Sequence, residues 1–254
     1  MSEAAMPDQE RVGVLTDAIT HVREKVAAAA KRNVVNAPVV RLVAVSKLKP
    51  ASDILGLYKT CGQEHFGENY VQELVEKAKV LPAEIKWHFI GSLQSNKCSM
   101  LAEIPNLYAV ETVDSLKKAR RLNDARPAGM SPLNVFIQVN TSGEASKSGL
   151  APGADVDELA AYIARECARL TLKGLMTIGS VAMSQASGHG AALENTEFAV
   201  LVAQKARLEA ALGLSGLELS MGMSEDYERA IAQGSTSVRV GSLIFGARPP
   251  RNGH

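Results

Sequence analysis

The sequence predicts an α/β protein, a single (β/α)8 barrel of the TIM type with an extra N-terminal helix. Three observations predict it. Strand-like and helix-like segments alternate strictly after the first helix, and such alternation means a parallel sheet with crossover helices. Eight strand-like segments can be read, which suggests closure into a barrel. The length of 254 residues is typical of one. A doubly wound open sheet is the alternative. The first strand–helix junction, SKLKP, carries no GxGxxG and so speaks against a simple dinucleotide fold.

Residues 8–32 come first. Val12, Leu15, Ile19, Val22 and Val26 recur at helical spacing, so this segment is an amphipathic helix. The barrel is expected over 39–246, followed by a short tail, 247–254, with the whole chain 1–254 as one domain. No C-terminal β domain is expected. The expected strands are 39–45, 63–66, 86–90, 107–110, 133–139, 172–178, 217–220 and 238–240. Helices are expected over 51–60, 70–80, 114–123, 155–169, 194–212 and 225–232. Ser224 precedes Glu225 and Asp226, the pattern of an N-cap. Gly213 and Gly234 follow apolar helical runs, where a left-handed terminator belongs. The stretch 180–190, SVAMSQASGHG, is small and polar without periodicity and reads as a mobile loop.

Composition narrows the function. Lys+Arg 28 against Asp+Glu 27 leaves a net charge of +1, with no basic excess to hold a nucleic-acid backbone. Cys61, Cys98 and Cys167 are too few and too scattered for a disulfide framework or a zinc site. No HExxH or acidic cluster suggests another metal. No apolar run reaches membrane-spanning length. The N-terminus MSEAAMPDQERVG has no signal-peptide core. The expected location is the cytoplasm.

The chemistry begins at Lys47 in RLVAVSKLKP. It falls just past the first strand, on the face where barrels work. Apolar walls favour the neutral amine over the ammonium, and a neutral lysine amine condenses with aldehydes. A surface lysine is the ordinary alternative, and Lys49 shares it with less reason to reject it.

The segment LSMGMSEDYERAIAQG runs a strand into a glycine and then a serine, Ser224, at a helix start. Helix starts offer unpaired amides to anions. In STSVRVGSLIFG, Arg239 lies inside an apolar strand and so needs a partner. Gly241 permits close backbone approach and Ser242 adds a hydroxyl. Phosphate sites in barrels favour the loops after strands seven and eight. These groups are expected to hold an anion across the rim from Lys47. Asn69, in HFGENYVQE, either caps the next helix or turns its amide to a cofactor. His65 and His88 lie within strands and read as satisfied core histidines.

The ordered motifs AVSKLKP, HFGENYVQE, WHFIGSLQSNK, VNTSGEASKSGL, GLMTIGS, LSMGMSEDYERAI and GSTSVRVGSLIFG resemble the pyridoxal phosphate homeostasis protein family. The resemblance covers about residues 41–245. It implies a barrel like the N-terminal domain of alanine racemase, with pyridoxal phosphate held as a Schiff base on Lys47. It also implies phosphate contacts at Ser224, Gly241 and Ser242, a ring-nitrogen contact at Arg239, and Asn69 facing the cofactor. The implied function is intracellular vitamin B6 homeostasis, holding and delivering the cofactor to apo-enzymes that use it. An arginine beside the ring nitrogen weakens the ring as an electron sink, so no robust turnover is expected. A monomer is expected.

Two other functions compete with this one. A racemase would need a second acid–base group facing the substrate, and Tyr70, Tyr108, Tyr162 and Tyr227 all have ordinary structural places. An aldolase-like lysine enzyme would put carboxylates beside Lys47, and none adjoins it in sequence. Lys147, in the loop after strand five, is a further amine that could lie near the site, although a surface lysine is the simpler reading.

Overall fold

The computed structural model describes residues 4–32, 39–185 and 194–247. Eight parallel strands close in the order β1-β2-β3-β4-β5-β6-β7-β8, with β8 returning to β1. They are β1 (Arg41–Val45), β2 (His65–Glu68), β3 (Lys86–Phe89), β4 (Leu107–Val113), β5 (Leu133–Gln138), β6 (Leu170–Met176), β7 (Glu218–Ser220) and β8 (Ser237–Val240). The open-sheet alternative is therefore excluded. The tail beyond residue 247 and residues 186–190 of the expected loop lie outside the described residues.

Helix α1 (Gln9–Arg32) buries Leu15, Ile19, Val22, Val26 and Ala29. The spacing alternates between four and three, which puts all five on one stripe. Asp8 accepts the Arg11 N–H at 2.7 Å, as an N-cap does. The stripe packs on α2 (Ala51–Cys61), and α1 also touches α9 (Tyr227–Ala232) and α10 (Ser242–Phe245). Helix α1 thus braces the barrel wall on both sides of the β8–β1 seam.

The crossover helices are α3 (Val71–Val80), α5 (Leu116–Ala125), α6 (Ala154–Glu166) and α8 (Thr196–Leu212). Their apolar faces join the strands' outer faces in one core that includes Trp87, Phe89 and Phe198. Gly213 ends α8 in the left-handed conformation (φ 64°), as its position after an apolar run predicts.

Several expectations need correction. Strand β2 starts two residues later than expected and β6 is displaced toward the N-terminus. The short α4 (Cys98–Ala102) and α10 carry too few residues to show a period. Helix α7 (Val181–Gln185) occupies the start of the segment expected to be a mobile loop. Ser224 is not an N-cap: residues 224–226 form a turn and α9 begins at Tyr227 with Asp226 before it. Asp226 instead folds that turn by accepting the Met223 N–H at 2.7 Å.

Candidate functional site

A cavity of about 290 Å³ opens at the C-terminal ends of the strands. Lys47, Asn69, Ser224, Arg239, Gly241 and Ser242 all line it. The structure thus brings together the six residues singled out from four segments of the chain. Val45, Ile90, Met176, Ile178 and Met223 supply the apolar walls. Lys49 and Glu225 also line it.

Lys47 stands two residues past the last residue of β1. Strand β1 is buried through Leu42, Val43 and Ala44, so the chain emerges from the core at this point. The loops after β7 and β8 stand beside it rather than across the rim. Closure makes β8 the neighbour of β1, with Val43 opposite Arg239 and Ala44 opposite Val240. Gly241 continues this contact. A Cβ there would lie 3.2 Å from both the Cβ and the carbonyl oxygen of Val45, so a side chain would fit only if β1 gave by a few tenths of an ångström.

Ser224 and Ser242 meet over Gly241. Their hydroxyls are 3.1 Å apart, and Ser224 Oγ accepts the Gly241 N–H at 3.4 Å. Ser242 opens α10, where the first N–H groups have no intrahelical acceptor. Two hydroxyls and a turn of backbone amides form one polar corner.

Asn69 is not a cap: the residue before α3 is Tyr70, without a side-chain cap bond. Asn69 Oδ1 is buried with no protein partner, although the residue lines the cavity. A buried acceptor is seldom left unpaired. The loop holding it packs tightly: a Cβ on Gly91 would sit 2.0 Å from the Asn69 carbonyl oxygen. An orphan acceptor in the wall fits a ligand that brings a donor.

Arg239 is buried, and its guanidinium donates to Ser220 Oγ at 2.5 Å and to the Thr177 carbonyl at 2.7 Å. Behind it runs a chain of polar side chains through the barrel interior. Ser220 Oγ donates to Glu111 Oε2 at 2.5 Å. His88 Nδ1 meets Glu111 Oε1 at 2.6 Å, and His65 Nδ1 meets His88 Nε2 at 2.9 Å. Glu111 as a carboxylate can only accept, so His88 donates from Nδ1, and as a neutral imidazole it receives from His65 at Nε2. Every proton in the chain then points toward Glu111 from both ends. Burial opposes its charge, but the bonds from His88 and Ser220 and the charge of Arg239 hold it below the usual carboxylate range. Sequence reasoning foresaw that Arg239 needs a partner but found neither Glu111 nor Ser220.

His65 reaches the opposite mouth of the barrel, against the Tyr108 ring edge. Burial lowers its pKa to about 3, and His88, Arg41 and Lys86 add repulsion. The unfolded chain therefore binds a proton that the fold rejects between about pH 3 and its ordinary 6.5, and His65 costs stability in that window. Glu68 works the other way, since burial raises its carboxyl to about 7. A difference measurement isolates the histidine. His65→Gln keeps a donor for His88, so urea unfolding should show the wild type gaining on the variant as pH rises from about 4 to about 6.5. A pH-independent difference would contradict this.

Among the described residues no group of His, Cys, Asp and Glu could hold a metal ion, and no helix is long and apolar enough to cross a membrane. Among the described residues no tyrosine lines the cavity. Lys147 donates to Glu144 and to the Gly179 carbonyl, at 2.9 and 2.6 Å.

Comparison with known proteins agrees with this geometry. The family model described as alanine racemase, N-terminal domain, matches residues 17–249. The pyridoxal phosphate homeostasis protein of Schizosaccharomyces pombe is 52% identical over 210 residues, covering 83% of this chain and 85% of the relative. The protein of the same name from Escherichia coli K12 is 45% identical over 235 residues, covering 91% and 95%. The solved structure of PipY from Synechococcus elongatus PCC7942 with PLP bound superposes with a TM-score of 0.73 at 31% identity, covering 91% of this chain and all of that one. With a matching domain model, close relatives over most of its length and the same barrel, the chain belongs to the pyridoxal phosphate homeostasis protein family.

Proposed function

We propose that this chain binds pyridoxal phosphate in the cavity, holds it covalently at Lys47, and buffers or delivers it to apo-enzymes that use it. The observation that carries this reading is the convergence of an amine, a pair of hydroxyls and an orphan buried acceptor on one cavity of about 290 Å³. The bound cofactor supplies an aldehyde carbon and an aromatic ring. Lys47 would be the amine that holds the cofactor through that carbon, in a condensation that loses one water. Ser224, Gly241 and Ser242 receive the phosphate at the β8–β1 seam. Arg239 would present its guanidinium to the ring nitrogen, and Asn69 Oδ1 would accept from a donor on the ligand.

The same arrangement favours a carrier over a catalyst. Arg239 is fastened to Ser220 and Thr177 and lies near Glu111, so it would stand as a fixed cation beside a bound ring. A cation there opposes ring protonation and weakens electron withdrawal. A two-base racemase needs a second acid–base group, and no tyrosine supplies one from the cavity wall.

The test is an absorbance spectrum of protein mixed with the cofactor, then borohydride and peptide mapping. The expected result is a near-visible band and a phosphopyridoxyl group on the Lys47 peptide. An unlabelled Lys47 peptide would overturn the reading. Robust racemisation of alanine, lost in Lys47→Ala, would overturn the carrier role while keeping the site.

A further inference from the structure

The chain around Lys47 is held in an unusual way. Leu48 has φ 62°, the one positive φ at a non-glycine among the described residues. A side chain in that region costs about 1–2 kcal/mol, so something must hold it there. Three groups on β2 and α3 do. Glu73 Oε1 accepts the Leu48 N–H at 2.7 Å. Glu68 Oε1 accepts from Ser46 Oγ at 2.6 Å. Lys77 Nζ donates to the Ser46 carbonyl at 2.9 Å, and to Glu68 and Glu73 at 2.6 Å each.

The two residues flanking Lys47 are thus both tied to one ammonium. An ammonium has three donors, and these three acceptors use them all. Lys77 is only 6% exposed, an unusual place for a lysine on a crossover helix. A leucine would pack there at lower desolvation cost, so packing alone does not account for a lysine. Burial raises the Glu68 carboxyl to about 7, even though the charge and hydrogen bond of Lys77 and the hydroxyl of Ser46 act to lower it.

Resting on the reading that Lys47 is the attachment point, we propose that Lys77 is a positioning residue for Lys47. Through Ser46 on one side and the Glu73–Leu48 contact on the other, it sets the direction in which the reactive amine leaves the end of β1. The strained φ at Leu48 is the conformation this clamp enforces.

The test separates attachment from binding. Covalent attachment of pyridoxal phosphate is followed by absorbance and confirmed by borohydride mapping. Affinity for deoxypyridoxine phosphate, which has no aldehyde, reports the rest of the cavity. Lys77→Met keeps the length and removes the charge; Glu73→Leu removes the acceptor from a partly exposed position. Both should slow attachment roughly 10- to 100-fold, as misplacement of a reacting group does. Affinity for the analogue should stay within about threefold. Glu73→Gln keeps an acceptor for the Leu48 N–H and should recover most of the rate lost in Glu73→Leu. Unaltered attachment in Glu73→Leu, or a parallel fall in attachment and analogue affinity, would overturn the proposal even if Lys77→Met fails to fold. A wild type that takes up no cofactor at Lys47 would instead overturn the parent reading, and this proposal with it.

Discussion

Replacing Lys47 with alanine will abolish covalent attachment of pyridoxal phosphate and the near-visible band, while leaving the fold intact. Lys47 lies beyond the end of β1 and is only half-buried, so truncation removes no core packing. Deoxypyridoxine phosphate should bind the variant within about threefold of wild type, the scale of a substitution outside the core. The rival amine is Lys49, which lines the same cavity. Partial burial, and then repulsion from Arg11, lowers its pKa and favours its neutral form. Its Nζ, however, donates to the Ala247 carbonyl at 2.7 Å and is drawn toward the end of the described chain. Borohydride reduction and peptide mapping distinguish the two. A phosphopyridoxyl group on Lys49 in the variant, formed at the wild-type rate, would show that attachment does not depend on Lys47.

The difference between these two lysines shows what could be read from sequence. The short apolar run before Lys47, ending in a polar pair, marks the exit of a buried strand, and exits of barrel strands face the working end. The place of Gly241 and Ser242 at the cavity was legible for the same reason, since the pair comes straight after an apolar strand. Their spatial relation to Lys47 was less legible. An anion site across the rim was the expectation, whereas closure sets β8 beside β1.

The polar interior was hidden by the same periodicity that revealed the strands. Strand β4 was expected to end at Val110, just before the polar Glu111 and Thr112. Both are buried, and β4 continues to Val113. Inside a barrel a charged side chain can face another one, and only the register of distant strands says which. His88, Glu111, Ser220 and Arg239 come from β3, β4, β7 and β8. No local pattern connects them. Ser224 failed for a different reason. Ser224 and Asp226 are two possible caps within three residues, and the choice fell to a turn that Asp226 closes on Met223.

That interior chain makes Glu111 the residue whose loss should cost the fold most. It accepts from His88 on one side and from Ser220 on the other, and its Oε2 lies 3.9 Å from the Arg239 guanidinium. Glu111→Ala strands a buried cation without its nearest anion and leaves two donors unpaired. Breaking a buried pair in this way costs about 3–5 kcal/mol, and the urea midpoint should fall accordingly. Glu111→Gln is a graded case. Its amide can accept from one neighbour but presents N–H to the other. Ser220 can rotate to receive that N–H, but its own hydroxyl hydrogen then loses its acceptor, so at least one unsatisfied donor remains and the expected loss is about 1–3 kcal/mol. The effect should also reach the cavity. Arg239 lines it and is oriented through Ser220, so either variant should shift the absorbance of the loaded protein, whereas His65→Gln, further down the same chain, should move it little. An unchanged urea midpoint in Glu111→Ala would mean that Thr177 and Ser220 alone hold Arg239, and that the carboxylate is a spectator in the barrel.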